Sequence, residues 1–372
     1  MTAISEAFTS PTSDPHIRPF DPRRDLAGVA DVIEASFSDT LEPDGRDYLL
    51  RMRSAADSQA WSSWFATVEW AHPAMYGFVW VEDERIIGNV SLIPYYQKGR
   101  RFFLIANVAV QPDQRRRGIG RKLTSQAVEY ARQHGSLSTW LHVRDDNPPA
   151  IQLYTGLGFL ERTRRTSWYS FPDPAIDPPD RRGRLTALPG LPAAVPGEAF
   201  SLLDDAQGLP GGPLGLPNGC RFTRPAARSW SQQRAWLERS YPSQFAWHLS
   251  LRIPALQPGL WGALQRFLYA ATVRQWAVTC SGPSDGPGAP PRLGGVAAWQ
   301  PAMTAYANPI WLAAPLNADP DLIAALLQHV RRQVGSLRPL LLDYPAHQLD
   351  DAIRRGGFTP QQTLIWMELP FQ

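Results

Sequence analysis

The chain has 372 residues, 44% hydrophobic and 11% aromatic, which is enough to bury at least one large core; this excludes disorder for most of its length and makes two domains the expectation. Charged residues make up 19% and the formal net charge is +3, too small a positive field for a dedicated nucleic-acid or anionic-membrane binder, so the expected partner is a small or medium-sized molecule. Nearly all the positive charge is arginine, Lys98 and Lys122 being the only lysines.

The two cysteines, Cys220 and Cys280, cannot form a disulfide framework for so long a chain and lack zinc-ligand spacing, so a reducing, cytoplasmic location is expected. Met1 to Asp14 is Ser/Thr-rich without the basic start or apolar core of a signal peptide. No segment reaches the about 18 apolar residues of a membrane span.

In chain order, His16 to Phe20 reads as a strand and Asp25 to Phe37 as a helix behind an acidic cap. Trp61, Trp64, Phe65 and Val68, three and four apart, predict a second helix with its apolar face on the core. Tyr76 to Val81 and Ile86 to Tyr95 are β-rich runs around the turn Glu82-Asp83-Glu84, and Arg101 to Val110 is a third, giving an antiparallel meander. Gly118 to His134 is helical and stopped by Gly135. Thr139 to Val143 is a strand, Asn147 caps a short helix through Leu157, and Phe159 to Ser170 is a strand or strand pair.

From Phe171 to Gly219, ten prolines and eight glycines predict a linker with local structure. Beyond it, helices are expected at Arg228 to Arg239, Leu260 to Ala271, Asp321 to Val334 and Ala346 to Arg355. Strands are expected at Gln275 to Cys280, Gly294 to Trp299, Pro309 to Ala314, Leu340 to Asp343 and Thr363 to Leu369. Ser281 to Arg292 reads as a long hairpin loop. This order repeats the first half. Arg132-Gln133-His134-Gly135-Ser136-Leu137 precedes Arg332-Gln333-Val334-Gly335-Ser336-Leu337 by 200 residues, and Gly158-Phe159 precedes Gly357-Phe358 by 199, which points to duplication of one fold.

Arg115-Arg116-Arg117-Gly118-Ile119-Gly120 lies between a strand and a helix, so its backbone amides converge at a helix N-terminus, an anion site. It is neither a Rossmann fingerprint, lacking the third spaced glycine, nor a P-loop, lacking Gly-Lys-Ser/Thr. Asn107-Val108-Ala109-Val110-Gln111-Pro112 precedes it. Asn147-Pro-Pro-Ala150-Ile-Gln-Leu-Tyr154-Thr-Gly-Leu-Gly158-Phe159 follows the next strand.

With these segments in order, residues 16 to 170 resemble the GNAT acyltransferase superfamily. The resemblance implies an α/β fold of the α+β type: two tandem GNAT-like domains, each a twisted mixed sheet flanked by helices, with acyl-CoA entering where the fourth and fifth strands splay. It implies a tail at 1–15, a catalytic domain at 16–171, a linker at 172–219 and a degenerate copy at 220–372. Tandem members of the family, among them mycothiol synthases and aminoglycoside acetyltransferases, resemble this layout with one working half.

Carried over by position, Val108 and Val110 pair by backbone with the pantetheine arm. Arg115, Arg116, Arg117, Gly118, Ile119 and Gly120 hold the pyrophosphate, Asn147 contacts the cofactor near the pantetheine, and Tyr154 sits beside the thioester sulfur as general acid. Reference pKa values of ~10 for Tyr and ~8.5 for a thiol make full transfer uphill by about 2 kcal/mol, so hydrogen bonding contributes more. The expected activity is transfer of an acetyl group from acetyl-CoA to a primary amine on a small molecule or peptide, with no metal, nucleic acid or membrane. The alternative is a non-catalytic acyl-CoA-binding or partner-binding protein.

Many relatives carry a Glu on the fourth strand, whereas Leu104-Ile105-Ala106-Asn107 has no carboxylate. Asn107 can only orient a water, which favours a less basic amine or a base from Glu69, Glu82, Asp145 or a water chain. Trp64, Trp70, Tyr76, Trp80, Tyr95 and Tyr96 read mostly as core. His72, His142 and His248 show no metal or nucleophile-elbow pattern and read as structural. In the second half, Pro315-Leu316-Asn317-Ala318-Asp319-Pro320 aligns with Arg115 to Gly120 without a glycine, and Ile353 aligns with Tyr154, which predicts loss of acyl-CoA binding there.

Overall fold

The computed structural model describes residues 14–38, 43–58, 76–97, 99–172, 215–246, 249, 251–268, 272–281, 290–302, 306–335 and 338–371. The helix expected around Trp61 to Val68, the residues Glu69, Trp70, His72, Lys98 and His248, nearly all of the tail and linker, and most of the Ser281 to Arg292 loop lie outside these residues.

The elements begin with β1 (Ile17–Pro19), α1 (Pro22–Phe37), α2 (Pro43–Ser58), β2 (Tyr76–Glu82), β3 (Arg85–Gln97) and β4 (Arg100–Val110). Then come α3 (Ile119–Gln133), β5 (Ser138–Arg144), α4 (Pro148–Thr155) and β6 (Leu160–Ser170). The second half supplies β7 (Cys220–Thr223), α5 (Trp230–Ser240), α6 (Ser243–Ala246), α7 (Leu260–Leu268), β8 (Arg274–Cys280), β9 (Arg292–Trp299), β10 (Asn308–Ala313), α8 (Pro320–Val334), β11 (Leu340–Pro345), α9 (Asp350–Arg355) and β12 (Thr359–Pro370).

Two compact units form, one from residues 1–165 with 363–372, the other from 166–362. This differs from the expected division at 16–171 and 220–372. In the first unit the strand order is β1-β2-β3-β4-β5-β12, and in the second it is β7-β8-β9-β10-β11-β6. The sixth place in each sheet is filled by a strand from the other half of the sequence. Thr363 to Leu369, expected to end the second domain, instead runs antiparallel to β5 in the first unit, from Leu364↔Arg144 to Pro370↔Ser138.

The first unit is a meander, β1 to β4, followed by one parallel step to β5 through α3. The turn between β2 and β3 is made by Asp83 and Glu84, both with positive φ, a two-residue hairpin whose left-handed residues match the twist of the flanking strands. One sheet face packs on α3 through Ile119, Leu123 and Ala127. Gly88 allows this close approach, since a Cβ would stand 3.0 Å from Ile119 Cγ2 and Leu123 Cδ1 and oblige those side chains to shift. The other face packs on α1 and α2 through Leu26, Val29, Leu49 and Met52.

The acidic cap of α1 is Asp21, which accepts from Arg23 N–H, with Pro22 at the first helical position. Asp25 instead is buried, with its carboxylate on the Arg18 guanidinium at 2.5 and 2.8 Å and on Asp21 N–H at 2.7 Å. Asp25→Ala leaves Arg18, partly exposed, without its partner, and we expect a loss of about 2–4 kcal/mol in urea unfolding. A loss below about 0.5 kcal/mol would show that the pair is not held in solution.

In the second unit β10 and β11 are parallel, Ile310↔Leu342, and α8 buries Ile323, Leu326, Leu327 and Val330. The helix expected from Ala346 starts only at Asp350, because His347 and Leu349 take positive φ and break the first turn. Cys220 and Cys280, too few for a disulfide framework and expected in a reducing compartment, stand opposite each other on β7 and β8 and are joined by a disulfide. The antiparallel register makes the pair across a separation of 60 residues.

Candidate functional site

The site begins where β4 leaves the meander. Asn89 pairs with Ala109 and Ser91 with Ala106, so Val90 faces both Asn107 and Val108, a β-bulge. Asn107 takes φ +50°, a left-handed conformation that asparagine tolerates better than most residues. Asn89 Nδ2 donates to Asn107 O at 3.1 Å, and both Asn89 and Asn107 reach Ser91 Oγ, at 3.4 and 3.5 Å. The cluster is neutral. It borders a small cavity under α1 and α2 that Leu26, Tyr48, Met52 and Tyr76 also line, and burial raises the Tyr48 phenol to about 12. Asn89 and Ser91 escaped the sequence reading, although two polar residues at alternate positions of an apolar strand carry the signal.

After the bulge β4 and β5 separate. Their parallel pairing covers Phe103↔Thr139 to Ile105↔Leu141 only, while β4 runs on to Val110. Gln111 N–H bonds Ile87 O at 2.9 Å, so at Val110, one residue earlier, the backbone groups face away from β3, toward the gap. The carbonyl of Val110 accepts from Ser36 Oγ at 3.1 Å and Arg115 Nε at 3.3 Å.

Gly118 forms the N-cap of α3 at φ +80°, with no side-chain cap on the first amides. A Cβ there would meet nothing within 4 Å, so the helix end, with its unsatisfied N–H groups and positive dipole, is open to an anion. Ile119 is buried beneath it, and Gly120 lies against Leu153 of α4 and Val110 of β4. The three arginines diverge. Arg115 also donates to Ser36 O, and Arg117 bonds Gln114 and forms an ion pair with Glu82 at 2.8 Å. Arg116 is exposed at φ +66°, and among the described residues its side chain has no partner.

Glu82, one candidate base, is thereby engaged. The Arg117 guanidinium and the Trp80 indole N–H hold its carboxyl below the usual range. Asp145 lies exposed beyond the end of β5, its N–H tied to Thr363 O. Asn147 spends its side-chain oxygen capping α4, accepting from Ala150 N–H at 3.2 Å.

Tyr154, on α4, is buried against Phe159 and shares the core of α3, Leu141 and Val143. Burial holds its phenol above the ordinary value, so it keeps its proton at neutral and moderately basic pH. His142 lies on the other face of β5. The residue is exposed, and desolvation lowers its pKa to about 4. In the second unit the matching helix end is closed: Asp319 caps α8 by accepting from Asp321 N–H at 2.9 Å, two acids where an anion would otherwise approach. Among the described residues no group of three His, Cys, Asp or Glu has the placement of a metal site, and no helix is long and apolar enough to cross a membrane.

Residues 40–159 match the model of the acetyltransferase (GNAT) family. Among curated proteins, the chain is 44% identical over 63 residues to the ribosomal protein bS18-alanine N-acetyltransferase of Salmonella typhimurium, covering 17% of this chain and 43% of that one. It is 28% identical over 145 residues to the mycothiol acetyltransferase of Saccharomonospora viridis, covering 38% and 45%. The chain thus spans less than half the length of these relatives. A GCN5-related N-acetyltransferase structure from Sphaerobacter thermophilus superposes with TM-score 0.53 at 13% identity, covering 96% of each chain, a likeness of fold.

Proposed function

We propose that this chain, which carries a GNAT acetyltransferase domain over residues 40–159, is an acetyl-CoA-dependent N-acetyltransferase acting on a primary amine of a small molecule or peptide. One observation carries the reading: an uncapped, glycine-opened helix end lies beside a gap between two parallel strands. The first suits a pyrophosphate, the second an extended arm that needs backbone partners.

In this reading the amides of Ile119 and Gly120 and the free guanidinium of Arg116 bind the pyrophosphate, with Arg115 and Arg117 shaping the loop through their bonds to Ser36 and Glu82. Val108 and Val110 offer backbone groups to the arm, and Asn147 orders α4 beneath it. Tyr154 acts on the leaving sulfur. Its raised pKa makes complete proton transfer costlier than for an ordinary phenol, so the protonated hydroxyl serves chiefly as a hydrogen-bond donor to the developing thiolate. Asn107 orients a water or the amine. The second unit, with its capped α8, supports the first rather than binding a second acetyl-CoA.

The test is calorimetric titration with acetyl-CoA together with thiol release against a panel of primary amines. One site and amine-dependent release support the reading, and no binding ends it. Tyr154→Phe is expected to lower kcat about 10- to 100-fold with the acetyl-CoA Kd within about twofold. Equal loss of binding and rate would instead make Tyr154 a packing residue. Because the phenol titrates above its ordinary value, it should produce no basic limb in the kcat profile below about pH 10.

A further inference from the structure

We propose that His142 is a catalytic residue of this acyl transfer, receiving the proton that the acceptor amine gives up as it attacks; the proposal rests on the acetyltransferase reading above. The β4–β5 ladder ends at Ile105↔Leu141, and His142 is the next residue of β5, at the root of the gap. Its strand is fixed from the other edge, where Trp366 of β12 stands opposite. Side chains alternate along a strand, and Leu141 and Val143 enter the core that holds Tyr154. His142, an exposed residue, therefore projects from the opposite face, its ring 5.2 Å from the Trp366 ring.

A histidine kept for structure ordinarily spends its ring nitrogens on protein hydrogen bonds. Among the described residues, those of His142 have none. The carboxylates of neighbouring strands are engaged: Glu82 with Arg117 at 2.8 Å, Glu368 with Arg162 at 2.9 Å and Asp146 with Arg144 at 2.6 Å. The bulge supplies only the neutral Asn89, Ser91 and Asn107. Asp145, beyond the end of β5, is exposed as well, so among the described residues His142 is an uncommitted proton acceptor that lies within a strand, where the ladder ends.

The chemistry divides between the two faces. The amine nitrogen bonds to the acyl carbon from the His142 face, and its surplus proton passes to an imidazole nitrogen. The C–S bond breaks toward the Tyr154 face, where the phenol keeps its proton and donates a hydrogen bond to the departing thiolate, which then takes a proton from solvent. His142 then returns its proton to solvent, so the products are an amide and a free thiol with no other reactant. The adduct nitrogen, beside a carbon bearing oxygen and sulfur, is more acidic than the free ammonium, which lets a weakly basic imidazole accept from it. That imidazole is unprotonated at neutral pH.

The experiment compares the full-length protein with His142→Gln and His142→Ala by thiol release and by acetyl-CoA calorimetry. Both variants should lose about 100-fold in kcat and keep the parental acetyl-CoA Kd within twofold. Added imidazole should restore several-fold activity to His142→Ala and leave the parent unchanged. Parental kcat in both variants overturns the proposal, as does a loss that imidazole does not relieve or that comes with lost acetyl-CoA binding. A parent that releases no thiol with any amine fails earlier and removes the acetyltransferase reading together with this one.

Discussion

Replacing Gly118 with Asp is expected to weaken acetyl-CoA binding at least about 100-fold while leaving the protein folded. At φ +80° with nothing within 4 Å of a Cβ, the new side chain meets no steric wall, and the left-handed backbone costs about 1–2 kcal/mol. The electrostatic cost is larger. A carboxylate about 4 Å from a phosphate charge is opposed by about 4 kcal/mol at the effective dielectric of a protein surface, reduced by salt. It would also cap the amides that the pyrophosphate needs. Gly118→Ala separates the two contributions, since it carries the backbone strain without the charge and should cost a few-fold at most. Calorimetry at two salt concentrations reads both, and unchanged affinity in Gly118→Asp would place the pyrophosphate elsewhere.

Deleting residues 363–372 is expected to be more damaging, giving a chain that is insoluble or lacks a cooperative unfolding transition. This segment is the strand against β5, and its Ile365, Trp366 and Met367 are all buried. Each contributes roughly 1.5–3 kcal/mol on burial, together comparable with the about 5–15 kcal/mol of a whole domain. The deletion also bares the β5 edge beside the site, an invitation to aggregation. Expression of residues 16–171 alone should fail for the same reason. Trp366→Ala is the graded version, expected to lose about 3–5 kcal/mol. A deleted chain that runs as a monomer with the parental Tm would show that β12 is dispensable to the first unit.

The local elements of the first unit were legible because they obey local rules. The turn at Asp83-Glu84, the glycine stops of α3 and the asparagine cap of α4 all act within a few residues. The second helix was not legible. Arg46, Asp47, Arg51 and Arg53 dilute the apolar stripe of Leu49, Met52 and Ala55, so the clearer helical spacing in the sequence is that of the tryptophans that follow. The exchange of β6 and β12 is invisible to any window, because a strand's pattern says which face is apolar and not which neighbour it joins. The cysteine pair depends likewise on the register of β7 and β8.

The candidate site divides in the same way. The end proposed to take the pyrophosphate is written in consecutive residues, Arg115 to Gly120, and is legible directly. The residues proposed for its acceptor side, Asn89, Ser91, Asn107 and His142, lie on three strands and form no motif. A single histidine in a strand gives no hint of solvent access. Only the parting of β4 from β5 distinguishes His142 from a residue of the core.

The exchanged strand also sets a timetable for synthesis. Leu364 pairs with Arg144, 220 residues earlier, so the sheet beside the acyl gap cannot be completed when β5 leaves the ribosome. At about 5–20 residues per second, the wait is about 10–45 s. During that interval β5 has an unpaired edge and Tyr154 lies in an unfinished core. The usual order, in which an N-terminal domain folds before its successor is made, is closed to this chain. Its first unit is among the last parts to become native, and its yield in a cell should depend on what shields the β5 edge while the rest is translated.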